Sequence, residues 1–285
     1  MAMKRWHLFA SFFTALALLA GCATLDEKQR VWIFQPSDRS WGGGTAAAQG
    51  MDDVWITLSG GAGDRLHGLW LPADQPQAGK TPKSQGAPVM LYLHGARYNV
   101  TGSAPRMRRM QALGFSVLAI DYRGFGKSTA ALPSETSAYE DARAAWEWLA
   151  LQYPDRPRYI FGHSLGGPIA INLATEVSDE SGTIVESTFT SIADVVSNSR
   201  WGWLPVSLLI TQRFEAVRKV DKIGSPLLVV HGDEDQLILP DLGRKLFDAA
   251  AQPKLFMLVE GGSHHNTNVV GQPQYRQALA QLFKL

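Results

Sequence analysis

A single cysteine, Cys22, stands in 285 residues, which leaves no intrachain disulfide framework and no zinc site built on several thiolates. Nor is there an excess of either charge: 27 basic residues face 26 acidic ones, for a formal net charge of +1. Without a basic surplus to neutralise a phosphate backbone, no nucleic-acid partner is expected. The apolar run from Leu8 to Ala20 is broken only by Ser11 and Thr14, yet it falls short of the about 20 residues that a membrane-spanning helix needs. With 45% hydrophobic and 19% charged residues, the chain is too apolar for a disordered tail and long enough for one large domain or two small ones.

Lys4 and Arg5 precede that apolar run, so the amino terminus reads as a secretory signal. It ends in Leu19-Ala20-Gly21-Cys22, which resembles the bacterial lipobox: an aliphatic residue, two small residues and the cysteine that receives diacylglycerol. Residues 1–21 are thus expected to be a lipoprotein signal peptide, with Cys22 the lipidated first residue of the mature chain. Ala23 follows the cysteine where Asp would signal retention, and resemblance to Gram-negative lipoproteins implies anchoring in the envelope at the periplasmic side of the outer membrane. The stretch Gln35–Gly50 is small and Gly-rich without apolar periodicity, so residues 22–50 are expected to be a flexible tether and 51–285 the folded domain.

Within that domain, Val54–Leu58 and Leu66–Leu71 flank the turn sequence SGGAGDR and predict an antiparallel hairpin. Six further compact apolar runs, at 88–94, 115–122, 158–163, 183–187, 227–231 and 255–260, have the length of buried strands. Helix-like stretches alternate with them at 104–113, 165–177, 241–251 and 273–284. A longer one opens at Ser137, where Ser137-Ala138-Tyr139-Glu140 has the capping-box form, and stops at Pro154. The pattern predicts an α/β fold whose eight-stranded, mostly parallel sheet is covered by helices on both faces.

The run RYIFGH leads into Gly162-His163-Ser164-Leu165-Gly166-Gly167 and then an Ala/Leu-rich helix. This is the strand-turn-helix setting of a nucleophile elbow, in which small flanking residues let a strained turn project the serine hydroxyl. A hydroxyl is a weak nucleophile at neutral pH and needs a histidine base oriented by a carboxylate. Downstream, one strand ends in HGDEDQLI, offering Asp233, Glu234 and Asp235, and the next in EGGSHHN, offering His264 and His265. The order Ser, acid, His is that of α/β-hydrolases.

The pieces LYLHGA at 91–96, DYRGFGKS at 121–128, GHSLGG at 162–167, ESTFTSI at 186–192, HGDEDQLI at 231–238 and GGSHHN at 261–266 occur in this order. Through them the chain resembles the α/β-hydrolase superfamily over about residues 54–285, and within it the small-cap serine hydrolases that include protein depalmitoylases and lysophospholipases. The resemblance places the catalytic acid on Asp235 and the catalytic histidine on His264, leaving Asp233 and Glu234 to shape the loop. It also assigns the oxyanion donors to the backbone N–H groups of Leu165 and of Ala96, the residue after His94-Gly95, with His94 buttressing that loop.

Gly126-Lys127-Ser128 ends like a phosphate-binding loop, but Asp121 stands where that motif needs its first glycine. His264 and His265 do not form H-E-x-x-H, so neither a metal nor another cofactor is expected; Asp121 and Arg123 read as an ion-paired support for the edge loop. Residues 190–224 form a short cap carrying Trp201, Trp203, Leu204, Val206, Leu208, Leu209 and Ile210, suited either to an acyl-chain pocket or membrane-facing lip, or simply to packing on the sheet. The expected activity is a serine hydrolase of carboxylic esters or thioesters that forms an acyl-enzyme on Ser164 and acts on small-molecule or lipid acyl substrates near a membrane. A serine aminopeptidase or amidase is the competing enzyme reading, and acidic groups lining the pocket would favour it. A non-catalytic binding lipoprotein on the same fold is the third.

Overall fold

The computed structural model describes residues 21, 23–37, 39, 43–60, 63–74, 86–198, 202 and 209–285. Cys22 and the cap residues Trp201, Trp203, Leu204, Val206 and Leu208 lie outside the described residues. Eight strands, β1 (Asp52–Thr57), β2 (Arg65–Leu71), β3 (Val89–Leu93), β4 (Ser116–Ile120), β5 (Arg158–His163), β6 (Gly182–Glu186), β7 (Leu227–Gly232) and β8 (Lys254–Val259), form one sheet in the order β1-β2-β4-β3-β5-β6-β7-β8. The β1/β2 and β2/β4 pairs are antiparallel and the other pairs parallel.

The continuous apolar runs are explained by burial on both faces. In β3, Val89, Leu91 and Leu93 join one core while Met90 and Tyr92 join the other, as the two-residue period of a strand requires. The first core is closed by α4 (Glu135–Gln152), α5 (Gly166–Glu176) and α7 (Pro240–Ala249), and the second by α3 (Ala104–Ala112) and α9 (Gln272–Phe283). Two shorter helices, α6 (Ile192–Ser197) and α8 (Thr267–Val270), sit in the connections after β6 and β8.

Two local expectations are revised, and the ion-paired support of the edge loop is found with partners assigned. Helix α4 starts before Ser137: Ser134 is its N-cap, accepting from the Ser137 N–H at 3.1 Å while the Ser137 hydroxyl accepts from the Ser134 N–H at 2.8 Å. The Gln212 side chain also accepts from the Glu135 N–H at 2.7 Å, so the cap segment fixes this earlier start. Asp121 and Arg123 support their loop through separate partners. Asp121 contacts His67 and accepts from the Val100 N–H at 2.6 Å, whereas Arg123 pairs with Asp141 at 2.6 Å and with Glu140.

The second revision concerns the expected tether. Residues 23–34 form a helix, α1, and its last two residues, Ile33 and Phe34, are buried in the first core. The Phe34 ring meets Phe125 and Phe214 edge-on, and its carbonyl accepts from the Arg97 N–H at 2.8 Å. Beyond it, Pro36 bridges Tyr98, and a short helix, α2 (Gly44–Ala47), is held by Arg108, whose Nε donates to the Ala47 carbonyl at 3.1 Å. The folded unit therefore begins upstream of Met51. Two apolar residues anchor a segment whose small, Gly-rich continuation carries no periodicity of its own. Among the described residues no helix is long and apolar enough to cross a membrane.

Candidate active site

Strand β5 delivers Ser164 and α5 begins two residues later, with Leu165 as its N-cap. Between them Ser164 takes φ 55°, a left-handed conformation that a serine adopts only when the surroundings enforce it. Its N–H donates to the Glu186 carbonyl at 2.9 Å, and its own carbonyl accepts from the Thr188 hydroxyl at 2.9 Å, so β6 clamps the turn. Close packing explains the flanking glycines. A Cβ on Gly162 would lie 2.3 Å from the Gly166 carbonyl oxygen, and one on Gly166 would lie 2.0 Å from that of Leu93.

The loops after β7 and β8 bring the other two groups to the serine. The Ser164 hydroxyl lies 3.0 Å from His264 Nε2, and His264 Nδ1 lies 2.8 Å from Asp235 Oδ2. Of the three acidic candidates only Asp235 reaches the histidine; Asp233 accepts from the Gly261 N–H at 2.8 Å and ties the two loops together. His265 is exposed beside the pocket, its ring across that of His264. Burial alone would raise the Asp235 pKa, but hydrogen bonds from His231 and His264 and the Ile238 N–H hold it well below the usual carboxylate range. An ionised Asp235 accepts the Nδ1 proton of His264 and leaves Nε2 free to face the serine.

Ala96 and Leu165 line the same cavity as Ser164 and His264. Leu165 sits where the first amides of a helix have no partner within it and where negative charge is favoured. His94 lies beneath the Ala96 loop, 4% exposed, with Nδ1 2.6 Å from the Gly95 carbonyl and its ring against Tyr122 and Phe125. Burial lowers its pKa, keeping the ring neutral.

The sequence gives no sign of the arrangement behind the histidine. Arg106 on α3 reaches under the loop after β8, where it donates at 3.2 Å to the carbonyls of both His264 and His265. Its Nε pairs with the buried Glu186 at 3.0 Å, and Glu186 in turn accepts from the Tyr275 hydroxyl. Arg106 also lies 3.1 Å from His163 Nε2, which is itself 3.2 Å from the His264 carbonyl. Burial, together with the Arg106 and His264 charges, pushes the His163 pKa well below its usual range, which favours a neutral ring. Helix α3 shows three arginines close together, and nothing in their spacing marks Arg106 as the one that turns inward.

The pocket above Ser164 has a volume of about 590 Å³. Its walls include Trp32 and Ile33 of α1, Phe189, Ile192, Val195 and Val196 around α6, and Leu237, Ile238, Leu239 and Leu242 from the loop after β7 and the start of α7. The expected cap thus supplies one wall and the expected tether another. Among the described lining residues the charged side chains are Arg97 and Arg106, with no Asp or Glu. Nor does any group of three or more His, Cys, Asp or Glu among the described residues stand ready to hold a metal ion.

Known proteins show the same arrangement of sequence and fold. Residues 85–216 match the family model described as "Serine aminopeptidase, S33". An uncharacterized protein of Mycobacterium tuberculosis is 30% identical over 245 residues, covering 85% of this chain and 83% of that protein. The lysophosphatidylserine lipase ABHD12 of Danio rerio is 32% identical over 223 residues, covering 70% of this chain and 56% of the lipase. This chain therefore spans little more than half of that relative. Among solved structures, the Pyrococcus furiosus esterase Pf2001 superposes with a TM-score of 0.66 at 18% identity, over 88% of this chain and 97% of that one. A Mycobacterium tuberculosis puromycin-hydrolyzing peptidase does so with a TM-score of 0.63 at 19% identity, over 82% and 39%. Esterase and peptidase share this architecture, so the structural likeness speaks for the fold alone. Taken with the identity to relatives over most of its length, it establishes that the chain belongs to the α/β-hydrolase superfamily and is a hydrolase.

Proposed function

We propose that the protein is a serine ester hydrolase that cleaves carboxylic esters or thioesters with a hydrophobic acyl group, and that it works at the bacterial envelope on a lipid anchor at Cys22. The observation that carries this reading is the Ser164–His264–Asp235 hydrogen-bond chain at the floor of an apolar pocket free of carboxylates among its described lining residues. A serine aminopeptidase must hold a substrate ammonium, and the natural partner for it is a carboxylate. Among the described lining residues the charged groups are Arg97 and Arg106; Arg106 is already paired with Glu186, and Arg97, exposed at the mouth, suits a neutral or anionic substrate.

In the proposed reaction Ser164 Oγ attacks the carbonyl carbon as its proton passes to His264 Nε2, and Asp235 stabilises the imidazolium that forms. The N–H groups of Ala96 and Leu165 hold the oxyanion of the tetrahedral intermediate. Collapse breaks the bond to the alcohol or thiol, which leaves with the proton from His264. Water, deprotonated by the same nitrogen, then attacks acyl-Ser164; the acid departs and Ser164 recovers its proton. Arg106 acts on none of these atoms, and its place is to position His264.

The test is reaction of the protein, Cys22→Ser in otherwise full-length chain, with a fluorophosphonate, followed by turnover of ester, thioester and aminoacyl-amide substrates. A stoichiometric adduct on Ser164 is expected, absent in Ser164→Ala and slowed in His264→Ala, with esters or thioesters turned over faster than aminoacyl amides. A folded protein that gains no adduct, or one that prefers aminoacyl amides, would overturn the reading.

A further inference from the structure

Helix α1 does two things at once: it walls the active-site pocket, and it carries exposed apolar side chains beside the pocket mouth. Trp32 lines the pocket yet is 63% exposed, and so do Leu237 at 60% and Leu239 at 38%. Next to them Val31 is 52% exposed on α1 and Leu209 57% exposed on the cap. Leu209 is held against α1 by its carbonyl, which accepts from Gln29 Nε2 at 2.7 Å, and the Thr211 N–H donates back to Gln29 Oε1 at 2.9 Å. Farther along, Arg30 Nε donates to the Pro133 carbonyl at 2.9 Å and Asp26 accepts from Gln212 at 2.8 Å. These bonds hold α1 and the cap edge together as one rim, in which Trp32, Leu237 and Leu239 line the mouth and Val31 and Leu209 are exposed on the two segments that flank it.

We infer that this rim docks on a phospholipid bilayer and turns the pocket mouth toward the lipid phase, so that the acyl substrate is drawn directly from the membrane. The chain itself selects this occupant. In the sequence, the described residues 23–34 of this helix follow Cys22 and the apolar run Leu8–Ala20. Twelve helical residues rise about 18 Å, so the point where the lipid would be attached lies within one short helix of Trp32. An anchor that close holds the mouth at the bilayer surface, where tryptophan and aliphatic side chains partition favourably. Arg97, exposed at the same mouth, adds attraction for anionic headgroups. Because the substrate side of this inference rests on the proposed ester hydrolysis, docking and catalysis are read separately.

The experiment uses the chain that begins at residue 22, Cys22→Ser, without the apolar run Leu8–Ala20 that would itself enter a bilayer, carrying one introduced cysteine with a polarity-sensitive fluorophore. The labelled positions are Val31→Cys, Leu209→Cys and, as a control, Leu151→Cys. Leu151 ends α4 just ahead of β5, at the opposite end of the sheet from Ser164, and is 79% exposed. On vesicles of phosphatidylethanolamine and phosphatidylglycerol, labels at 31 and 209 should shift to the blue and be quenched by brominated acyl chains, while the label at 151 stays in water. The double variant Val31→Glu/Leu209→Glu should lose roughly tenfold in activity on a vesicle-borne long-chain ester and keep wild-type turnover of a soluble short-chain ester. Labels that remain in water on vesicles, in a protein that hydrolyses the soluble ester, overturn docking and leave the function standing. A concentration-dependent shift without vesicles would assign the rim to a second copy of the chain and also overturn the inference. Loss of the fluorophosphonate adduct on Ser164 would instead count against the hydrolase reading, whatever the labels report.

Discussion

Replacing Phe34 by alanine tests whether the segment before Met51 is part of the folded protein. The side chain is fully buried and touches Phe125 and Phe214 edge-on at centroid distances of 6.4 and 5.8 Å. Truncating a buried phenylalanine costs about 3–5 kcal/mol through lost transfer energy and the cavity left behind. Aromatic pairs of this geometry are worth about 0.5–1.5 kcal/mol each, which puts Phe34→Ala toward the upper end of that range. Two-state domains are stable by only about 5–15 kcal/mol, so the substitution removes a large part of the total. With a urea m-value near 3 kcal/mol per molar, the unfolding midpoint should fall by roughly 1–2 M, followed by circular dichroism. The smaller apolar change Phe34→Leu, which keeps most of the buried volume but no ring contact, should recover part of the loss. A midpoint lowered by less than about 0.3 M, corresponding to under 1 kcal/mol at that slope, would mean that α1 is a tether after all. A chain begun at Met51 is expected to fail similarly, because it discards Phe34 together with the pocket wall formed by Trp32 and Ile33.

Asp235→Asn keeps the size of the side chain but no longer favours the proton on His264 Nδ1; kcat for an activated ester should fall about a thousandfold or more with KM little changed, and a drop below tenfold would show that another group orients the histidine. Arg106→Lys keeps the charge but loses the fork that spans Glu186 and the two carbonyls. Fluorophosphonate labelling and kcat should slow roughly 10- to 100-fold while KM holds, whereas a purely structural role would lower stability and leave kcat per folded molecule intact. Gly166→Ala places a methyl 2.0 Å from the Leu93 carbonyl oxygen, and thermal unfolding should show a large loss of stability or no folded protein. Stability should also fall in acid. Burial holds His94 and His163 below the ordinary 6.5, so below that pH the unfolded chain binds protons that the folded one refuses. Each contributes up to about 1.4 kcal/mol per pH unit until its folded pKa is passed. His67, raised by Asp121 and Asp53 against the effect of burial, acts in the opposite sense: its contribution is complete below 6.5 and fades as pH rises through its folded value. The specific check is His163→Gln, whose stability should depend less steeply on pH between 6.5 and 5 than that of the parent; an unchanged slope would refute the assignment.

What the sequence made legible is what local pattern dictates. Strands buried on both faces must be apolar throughout, so β3 to β7 stand out as compact runs. A serine forced to φ 55° needs small neighbours, so the elbow stands out as well. Asp235 and His264 could be placed through the resemblance, while the residues alone left three acids and two histidines open. Less legible were features decided by distant partners. Ile33 and Phe34 are merely two apolar residues beside a Gly-rich stretch, and what draws them inward is Phe125 and Phe214, which come together only in the fold. Ser134 caps α4 where Gln212 receives the next amide, that of Glu135, from 77 residues away. Arg106 is hidden for a related reason: its partners lie on β6 and the loop after β8, and no spacing within α3 reports them.

The parts of the site differ in how they are held, and that difference separates rate from selectivity. Ser164, His264 and Asp235 leave the ends of adjacent or near-adjacent strands and are tied to one another by Glu186, Asp233 and Arg106. Displacing any one of them requires moving the sheet or breaking a buried ion pair, so this half of the site is stiff. The walls of the pocket come from elsewhere: α1 lies outside the sheet, α6 is a six-residue helix in the connection after β6, and Leu237 and Leu239 flank a loop. Few of their side chains take part in holding the catalytic groups. Substitutions at Val195 or Leu239 should therefore change which acyl group fits, altering KM and the order of preference among ester chain lengths. The rate at which a small fluorophosphonate modifies Ser164 should stay the same, because that reagent needs the triad and little of the wall. The exceptions are Leu237 and Ile238, whose N–H groups donate to Asp235 at 3.0 and 2.9 Å, the Ile238 carbonyl lying 2.8 Å from His231 Nε2. At these two residues the pocket wall and the proposed catalytic acid share a backbone, and a proline at Ile238 would cost both selectivity and rate.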